Sequence, residues 1–161
     1  VRRGKLDAAL VALPLETSAL SLTRLNRQEP LIAALSAQWA EAEQERLTLS
    51  TLNGRPLFWF KRERNPAFFD FTRDIFRRVG YVPACLEEPL EHDVLLARIA
   101  RGEGLSLFPA SFAAIQRQGV VFRAIDETAL CVECGLVMLP ENAARLAWLL
   151  EMAQADSRVT N

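Results

Sequence analysis

Residues 56–86 read PLFWF, KRERN, PAFFDFTRDIFRRVG and YVPACL in immediate succession, and this stretch decides the fold. Pro56-Leu57-Phe58-Trp59-Phe60 is a short uncharged apolar run that follows Asn53-Gly54, the pattern of a central strand. Lys61 to Asn65 form a polar loop at its C-terminal end. Asn65 is a favourable N-cap, Pro66 suits the first helical position, and Gly80 suits the left-handed position just past the helix end. At about 100° per residue, Phe68, Phe71, Ile75 and Val79 form one apolar stripe, and Phe69 and Phe76 form a second beside it. Tyr81 to Leu86 then reads as a short strand. Strand, helix and strand in this order predict an α/β fold with parallel sheets and right-handed crossovers.

The same alternation extends outward. Towards the C-terminus, residues 91–101 form an amphipathic helix with Val94, Leu95 and Ile99 inward, closed by Gly102. Residues 105–109 read as a strand, 111–118 as a helix, and 120–122 and 130–139 as strands. A last helix is expected from Asn142 to about Ala155, with a polar, frayed tail from Asp156. Towards the N-terminus, residues 36–48 read as a solvated connection or short helix. Leu31 to Leu35 reads as a buried strand, set apart by Pro30 from a half-buried strand at Leu20 to Leu25. Leu6 to Leu13 reads as a buried strand ended by Pro14. Val1-Arg2-Arg3-Gly4 has the character of a helix end without its helix, so a preceding segment is expected.

Composition narrows the function classes. Of 161 residues, 50% are hydrophobic and 24% charged, which argues for a packed domain and against disorder. A net charge of −1 leaves no global basic field to hold nucleic acid. No apolar run reaches the roughly 18 residues of a membrane span, and no charged segment followed by an apolar one opens the chain as an export signal. Three cysteines cannot all pair with one another, and they fit a reduced compartment. Cys131 and Cys134 are three apart on one strand and point to opposite faces. They and Cys85 are therefore expected to be buried, unpaired and metal-free.

Catalytic signatures are missing. No G-x-S-x-G, H-E-x-x-H, G-x-G-x-x-G or Walker motif occurs, and His92 is the single histidine. No enzyme activity, cofactor or metal is expected. Glu87, Glu88, Glu91 and Asp93 read as a solvated acidic surface. The region that stands out is the C-terminal end of the 56–60 strand. Lys61, Arg62 and Arg64 lead into the helix N-terminus at Asn65-Pro66, with Trp59 and Phe60 as aromatic walls. In open α/β sheets ligands bind beyond strand C-termini, and helix N-termini favour anions. A solvated basic loop beside core aromatics is the plainer reading. A nucleic-acid patch, from the seven basic and three acidic side chains of residues 55–80, is the poorest, because the aromatics fit helix and strand cores better.

Several segments, taken in order, resemble the LysR-type transcriptional regulators. Arg3-Gly4-Lys5-Leu6-Asp7-Ala8-Ala9-Leu10-Val11 is similar to their G-x-L-D-x-A segment. Glu29-Pro30-Leu31-Ile32-Ala33-Ala34-Leu35-Ser36 resembles the strand that crosses between lobes, and Arg64-Asn65-Pro66-Ala67-Phe68-Phe69-Asp70 the ligand loop and helix start. The run from Leu96 to Ser111, LARIARGEGLSLFPAS, resembles V-A-A-G-x-G-x-x-x-x-P-x-S, and Gly119 to Arg123 follows at the expected distance. The resemblance implies a two-lobed, periplasmic-binding-protein type 2-like effector domain with its first lobe incomplete. Residues 1–33 and 128–161 would belong to the first lobe and residues 34–127 to the second. Against that pattern, the DNA-binding winged helix-turn-helix, the first strand and most of the first helix of the first lobe are expected to lie outside these 161 residues. Val94 stands in a region where many members carry threonine.

The resemblance also implies a function. A small-molecule effector, expected to be an organic anion such as a carboxylate, would bind between the lobes. It would do so at Ala12, Leu13, Arg64, Asn65, Pro66, Ala67, Phe68, Phe108, Pro109 and Ser111, together with the Trp59, Phe60 and Arg62 singled out above. The protein would be cytoplasmic and homo-oligomeric, and would meet DNA through the absent N-terminal domain. Phe69 and Phe76, with Arg73 on the same helix, would form the self-association face. A solute-binding protein of a transporter shares the fold and is the alternative.

Overall fold

The computed structural model describes residues 1–156. Its strands are β1 (Ala8–Leu13), β2 (Ser21–Ser36), β3 (Arg46–Leu47), β4 (Leu57–Trp59), β5 (Cys85–Glu87), β6 (Ser106–Pro109), β7 (Val120–Ile125) and β8 (Cys131–Met138). Its α-helices are α1 (Pro66–Arg78), α2 (His92–Ala100) and α3 (Ala147–Asp156). The chain forms two compact units, one from Val1–Gln28 and Val132 onward, the other from Glu29–Cys131.

In the first unit β1 runs antiparallel to β8, with Val11 opposite Gly135 and Ala12 opposite Cys134. Leu25, Leu136, Met138 and Leu146 are its buried cluster. The strand expected to be buried throughout is β1, yet it alternates, with Leu13 inside and Leu10 exposed. Among the described residues β1 pairs with β8 alone, so it lies at a sheet edge.

In the second unit the later half of β2 is the hub. It pairs antiparallel with β6, Ile32 opposite Phe108, and with β7, Ile32 opposite Ala124. The short β3 joins β7 in parallel, and β4 pairs in parallel with β5, Phe58 opposite Leu86. The sheets are therefore mixed rather than parallel throughout. A strand as long as β2 meets antiparallel returns, whereas the strand–helix–strand run of residues 57–87 does give the parallel pair. Phe58, Leu95, Leu96, Ile99, Ala34 and Phe108 form the core, with Leu86, Phe112, Val120 and Phe122 around it.

Several elements differ from the sequence expectation for identifiable reasons. Pro30 does not divide β2. It is exposed and precedes Leu31, where pairing with β6 begins, so its missing N–H costs no ladder bond. Asn26 takes a positive φ of 50° within the same strand, a conformation asparagine tolerates. Residues 110–114 form a short 3-10 turn where a longer helix is expected, and α3 starts five residues late, after a 3-10 turn at Pro140–Asn142. In α2 the inward residues are Leu95, Leu96 and Ile99, and Val94 is exposed. The polar tail beyond Asp156 lies outside the described residues.

Helix α1 follows its local signals. The Asn65 side chain accepts the Phe68 N–H at 3.1 Å, Pro66 opens the helix, and Gly80 sits at φ 71° beyond its end. Its two aromatic stripes are the flanks of a single inward face centred on Thr72. Thr72 is fully buried and its hydroxyl donates to the carbonyls of Phe68 and Phe69, both at 3.0 Å. Phe76 is buried within the chain, against Trp59 at 5.9 Å and Tyr81 at 5.0 Å between ring centroids. Phe76 is thus a core residue, and a stripe reserved for a second chain reduces to the half-buried Phe69 and the exposed Arg73.

Tyr81 is 2% exposed, and its hydroxyl has no hydrogen-bond partner among the described residues. Burial also drives its phenol pKa upward. Tyr81→Phe removes that desolvated group and keeps the ring on Phe76. Urea denaturation should show the variant more stable by about 1 kcal/mol; a loss of that size would reveal a partner for the hydroxyl.

Candidate functional site

The candidate site lies in the second unit, where β4, β5 and β6 reach their C-terminal ends. After Trp59 the chain makes a 3-10 turn at Arg62–Arg64 and enters α1 at Pro66. After β5 come Glu88 and then α2, which begins at His92. Trp59 is buried, with Phe60 at 4.9 Å and Phe68 at 6.3 Å between centroids, and Phe60 stacks on Phe68 at 5.9 Å. This cluster fixes the loop that carries the three cations.

Each of those cations meets a carboxylate. Lys61 Nζ is 2.8 Å from Glu87, and Arg62 grips both oxygens of Asp70, Nε at 2.9 and 3.2 Å and Nη2 at 2.5 Å. The Arg62 guanidinium holds the Asp70 carboxyl below the usual carboxylate range, and the hydrogen bond from Lys61 to Glu87 raises the lysine. Arg62, expected as an effector ligand, is therefore engaged along the helix with Asp70, eight residues away. Arg64 is different. Its Nη1 stands 3.6 Å from Glu88, beyond the roughly 2.7–2.9 Å of a charge-assisted hydrogen bond. The Glu88 side chain is 19% exposed, and burial pushes its carboxyl above the ordinary value while Arg64 and His92 pull it back. His92 lies edge-on to Phe108 and Phe112, and those two rings stack at 4.8 Å.

The remaining expected site residues divide by burial. Pro66 and Ser111 are exposed, and Asn65, Ala67, Phe68 and Pro109 half-buried. Ser111 donates its backbone N–H to the Glu29 carboxylate. Phe108 is 4% exposed and belongs to the second unit's core, so Phe112, which no sequence motif singles out, is the more accessible ring. Ala12 and Leu13 lie in the first unit, Ala12 exposed and Leu13 buried. Glu88, expected on a solvated acidic surface, instead stands half-covered beside the arginine loop. The signal that points to it is placement, at the end of a strand next to the one that carries Arg64.

Among the described residues, no cluster of three or more His, Cys, Asp or Glu side chains could hold a metal. The three thiols are free, but Cys85 is exposed and Cys131 and Cys134 half-buried, so the expectation of buried cysteines fails. Cys131 begins β8, where the strand is only partly covered, and Cys85 begins the two-stranded β4–β5 sheet. No helix among the described residues is long and apolar enough to cross a membrane.

The mixed α/β architecture is that of the type 2 periplasmic-binding-protein-like fold. The chain belongs to the LysR substrate binding domain family, whose model matches residues 1–158. It is 28% identical over 160 residues to the HTH-type transcriptional regulator IlvR of Caulobacter vibrioides, covering 97% of this chain and 53% of that protein. It is 21% identical over 140 residues to AlsR of Bacillus subtilis, covering 87% of this chain and 46% of that one. The chain thus spans about half the length of these curated relatives.

Solved structures agree on the fold. The effector binding domain of a BenM variant superposes with a TM-score of 0.78 at 20% identity, covering 98% of this chain and 74% of that one. The BenM effector binding domain holding its effector benzoate gives 0.68 at 24% identity, over 86% and 63%. The regulatory domain of CcmR from Synechocystis PCC6803, in complex with 2-PG, gives 0.76 at 15% identity, over 99% and 77%.

Proposed function

We infer that this chain is the effector-binding regulatory part of a LysR-type transcriptional regulator that senses a small organic anion. Membership of the family carries the reading, and two of its fold neighbours hold small ligands, benzoate and 2-PG. The transporter alternative has no such support. In this reading the two compact units are the two effector subdomains, and the protein is a cytoplasmic homo-oligomer that meets DNA through a domain outside this chain. Self-association is assigned to the half-buried Phe69 and the exposed Arg73 of α1, beside a groove of about 300 Å³ that Trp59, Phe76 and Tyr81 also line.

The effector's anionic group is assigned to Arg64 and the Ala67 backbone N–H at the start of α1, since Pro66 has no N–H and that of Phe68 is taken by Asn65, with Trp59, Phe60 and Phe112 giving apolar contact and Pro109 and Ser111 at its rim. Such a helix terminus adds about 0.3–1 kcal/mol for an anion, and the arginine adds direction. Arg64→Ala is expected to weaken carboxylate binding by about tenfold to a hundredfold, the value of a hydrogen bond to a charged group. Calorimetric titration of benzoate and other small carboxylates checks it. Unchanged affinity, or binding of neutral compounds alone, would remove this site.

A further inference from the structure

We propose that Glu88 is a built-in competitor for Arg64, a carboxylate of the protein that an incoming effector carboxylate must displace, and that it determines which anions the site accepts. The proposal rests on the carboxylate-binding reading above and adds a residue that reading does not use.

The geometry supports it. Lys61 and Arg62 are closed off by Glu87 and Asp70 at hydrogen-bonding distance, whereas Arg64 and Glu88 stand 3.6 Å apart, attracted without an optimal bond. The exposure is unequal: the Arg64 side chain is 55% exposed and that of Glu88 is 19% exposed. The guanidinium is open to a solute from the solvent side while the glutamate holds it from the protein side. The Glu88 N–H is tied to the Trp59 carbonyl at 3.3 Å, which anchors the carboxylate beside the arginine loop. A planar guanidinium has two edges that can grip a carboxylate, so an effector can take one while Glu88 yields the other.

Displacement has an electrostatic consequence. The charged groups acting on Glu88 are Arg64, from the turn before α1, and His92, from the first turn of α2. Both favour its ionised form against the desolvation that disfavours it. Once an effector carboxylate neutralises Arg64, Glu88 loses its strongest counter-charge and sits beside a second anion. Its pKa then rises on binding, so the complex takes up a proton. Affinity should therefore increase as pH falls between the bound-state and free-state pKa values of Glu88, and be independent of pH above both. A dianionic ligand meets Glu88 as an added repulsion, so the site should prefer monoanions.

Glu88→Gln keeps the shape and removes the charge. Titration of benzoate into the 161-residue chain and its variants from pH 5.5 to 8 tests the idea. Glu88→Gln should bind benzoate about tenfold tighter at pH 8, the equivalent of one pKa unit, and lose most of the pH dependence. His92→Gln should retain the pH dependence. A ligand-free arm follows the Glu88 carboxyl by carbon NMR, where Arg64→Ala should raise its titration midpoint. Unchanged affinity in Glu88→Gln, or an unchanged midpoint in Arg64→Ala, overturns the competitor role even if benzoate binding still depends on Arg64. The carboxylate-site reading falls by a different result: benzoate binding that is unaffected by Arg64→Ala, or absent from parent and Glu88→Gln alike.

Discussion

Phe58→Ala should destabilise the second unit by about 3–5 kcal/mol, the range for truncating a buried phenylalanine. Phe58 is fully buried at the centre of β4, packed with Leu95, Leu96 and Ile99 of α2 and with Ala34 and Phe108 of β2 and β6. It therefore joins elements from three parts of the sequence. Its ring also lies beneath the Arg98 guanidinium, 4.7 Å from the centroid. Truncation leaves a cavity walled by residues that β2, β6 and α2 hold in place, so collapse around it is restricted. Chemical denaturation followed by near-UV circular dichroism reads the loss. Because β4 also carries the loop of Arg62 and Arg64, the same variant should weaken any ligand at the start of α1. A loss below about 1 kcal/mol would mean the site relaxes freely, against this packing.

Gly104→Val should rival it through the opposite fault. A Cβ at Gly104 would come within 2.9 Å of the Phe58 ring and 2.9 Å of the Pro56 carbonyl oxygen. The ring has little room, being enclosed by the core. The carbonyl is fixed because it accepts the Leu105 N–H at 2.8 Å, while the Phe58 N–H donates to the Leu105 carbonyl at 2.8 Å. Relief of the clash breaks that reciprocal pair or shifts β4 against Leu105. Overpacking alone costs about 1–3 kcal/mol, and a lost buried backbone hydrogen bond adds about 1–3 more. Gly104→Ala should fall lower, with the same sign. Thermal unfolding of both variants orders them. An unperturbed Gly104→Val would show that the approach of these segments is looser than 2.9 Å implies.

Helix α1 is legible almost completely in the sequence, because its signals are local. An N-cap, a proline at the first position, a terminal glycine and an apolar period lie within the fifteen residues from Asn65 to Val79 and the glycine that follows. The family is legible as well, since the order and spacing of several short segments are properties of the chain itself, and the family model matches nearly all of it. The C-terminal ends of strands, and the cations beside them, can likewise be placed from the alternation of elements.

Tertiary structure decided the rest. Periodicity shows two aromatic stripes on α1, but only the packing of Trp59 and Tyr81 on Phe76 shows that both flank one buried face. Pro30 reads locally as a break, yet it is harmless where β2 has not begun to pair with β6. Phe108 and Phe112 look alike in sequence, and the core takes one of them. The charges show the principle most directly. Arg62 and Arg64 are two residues apart, and nothing local tells them apart. Asp70 closes on the first across a helical turn and more, while Glu88 reaches the second from just beyond the end of β5. Ion pairs depend on distance through space, and a sequence records only distance along the chain. The cations ahead of α1 can be named from the sequence alone, but which carboxylate each one meets is settled by the fold.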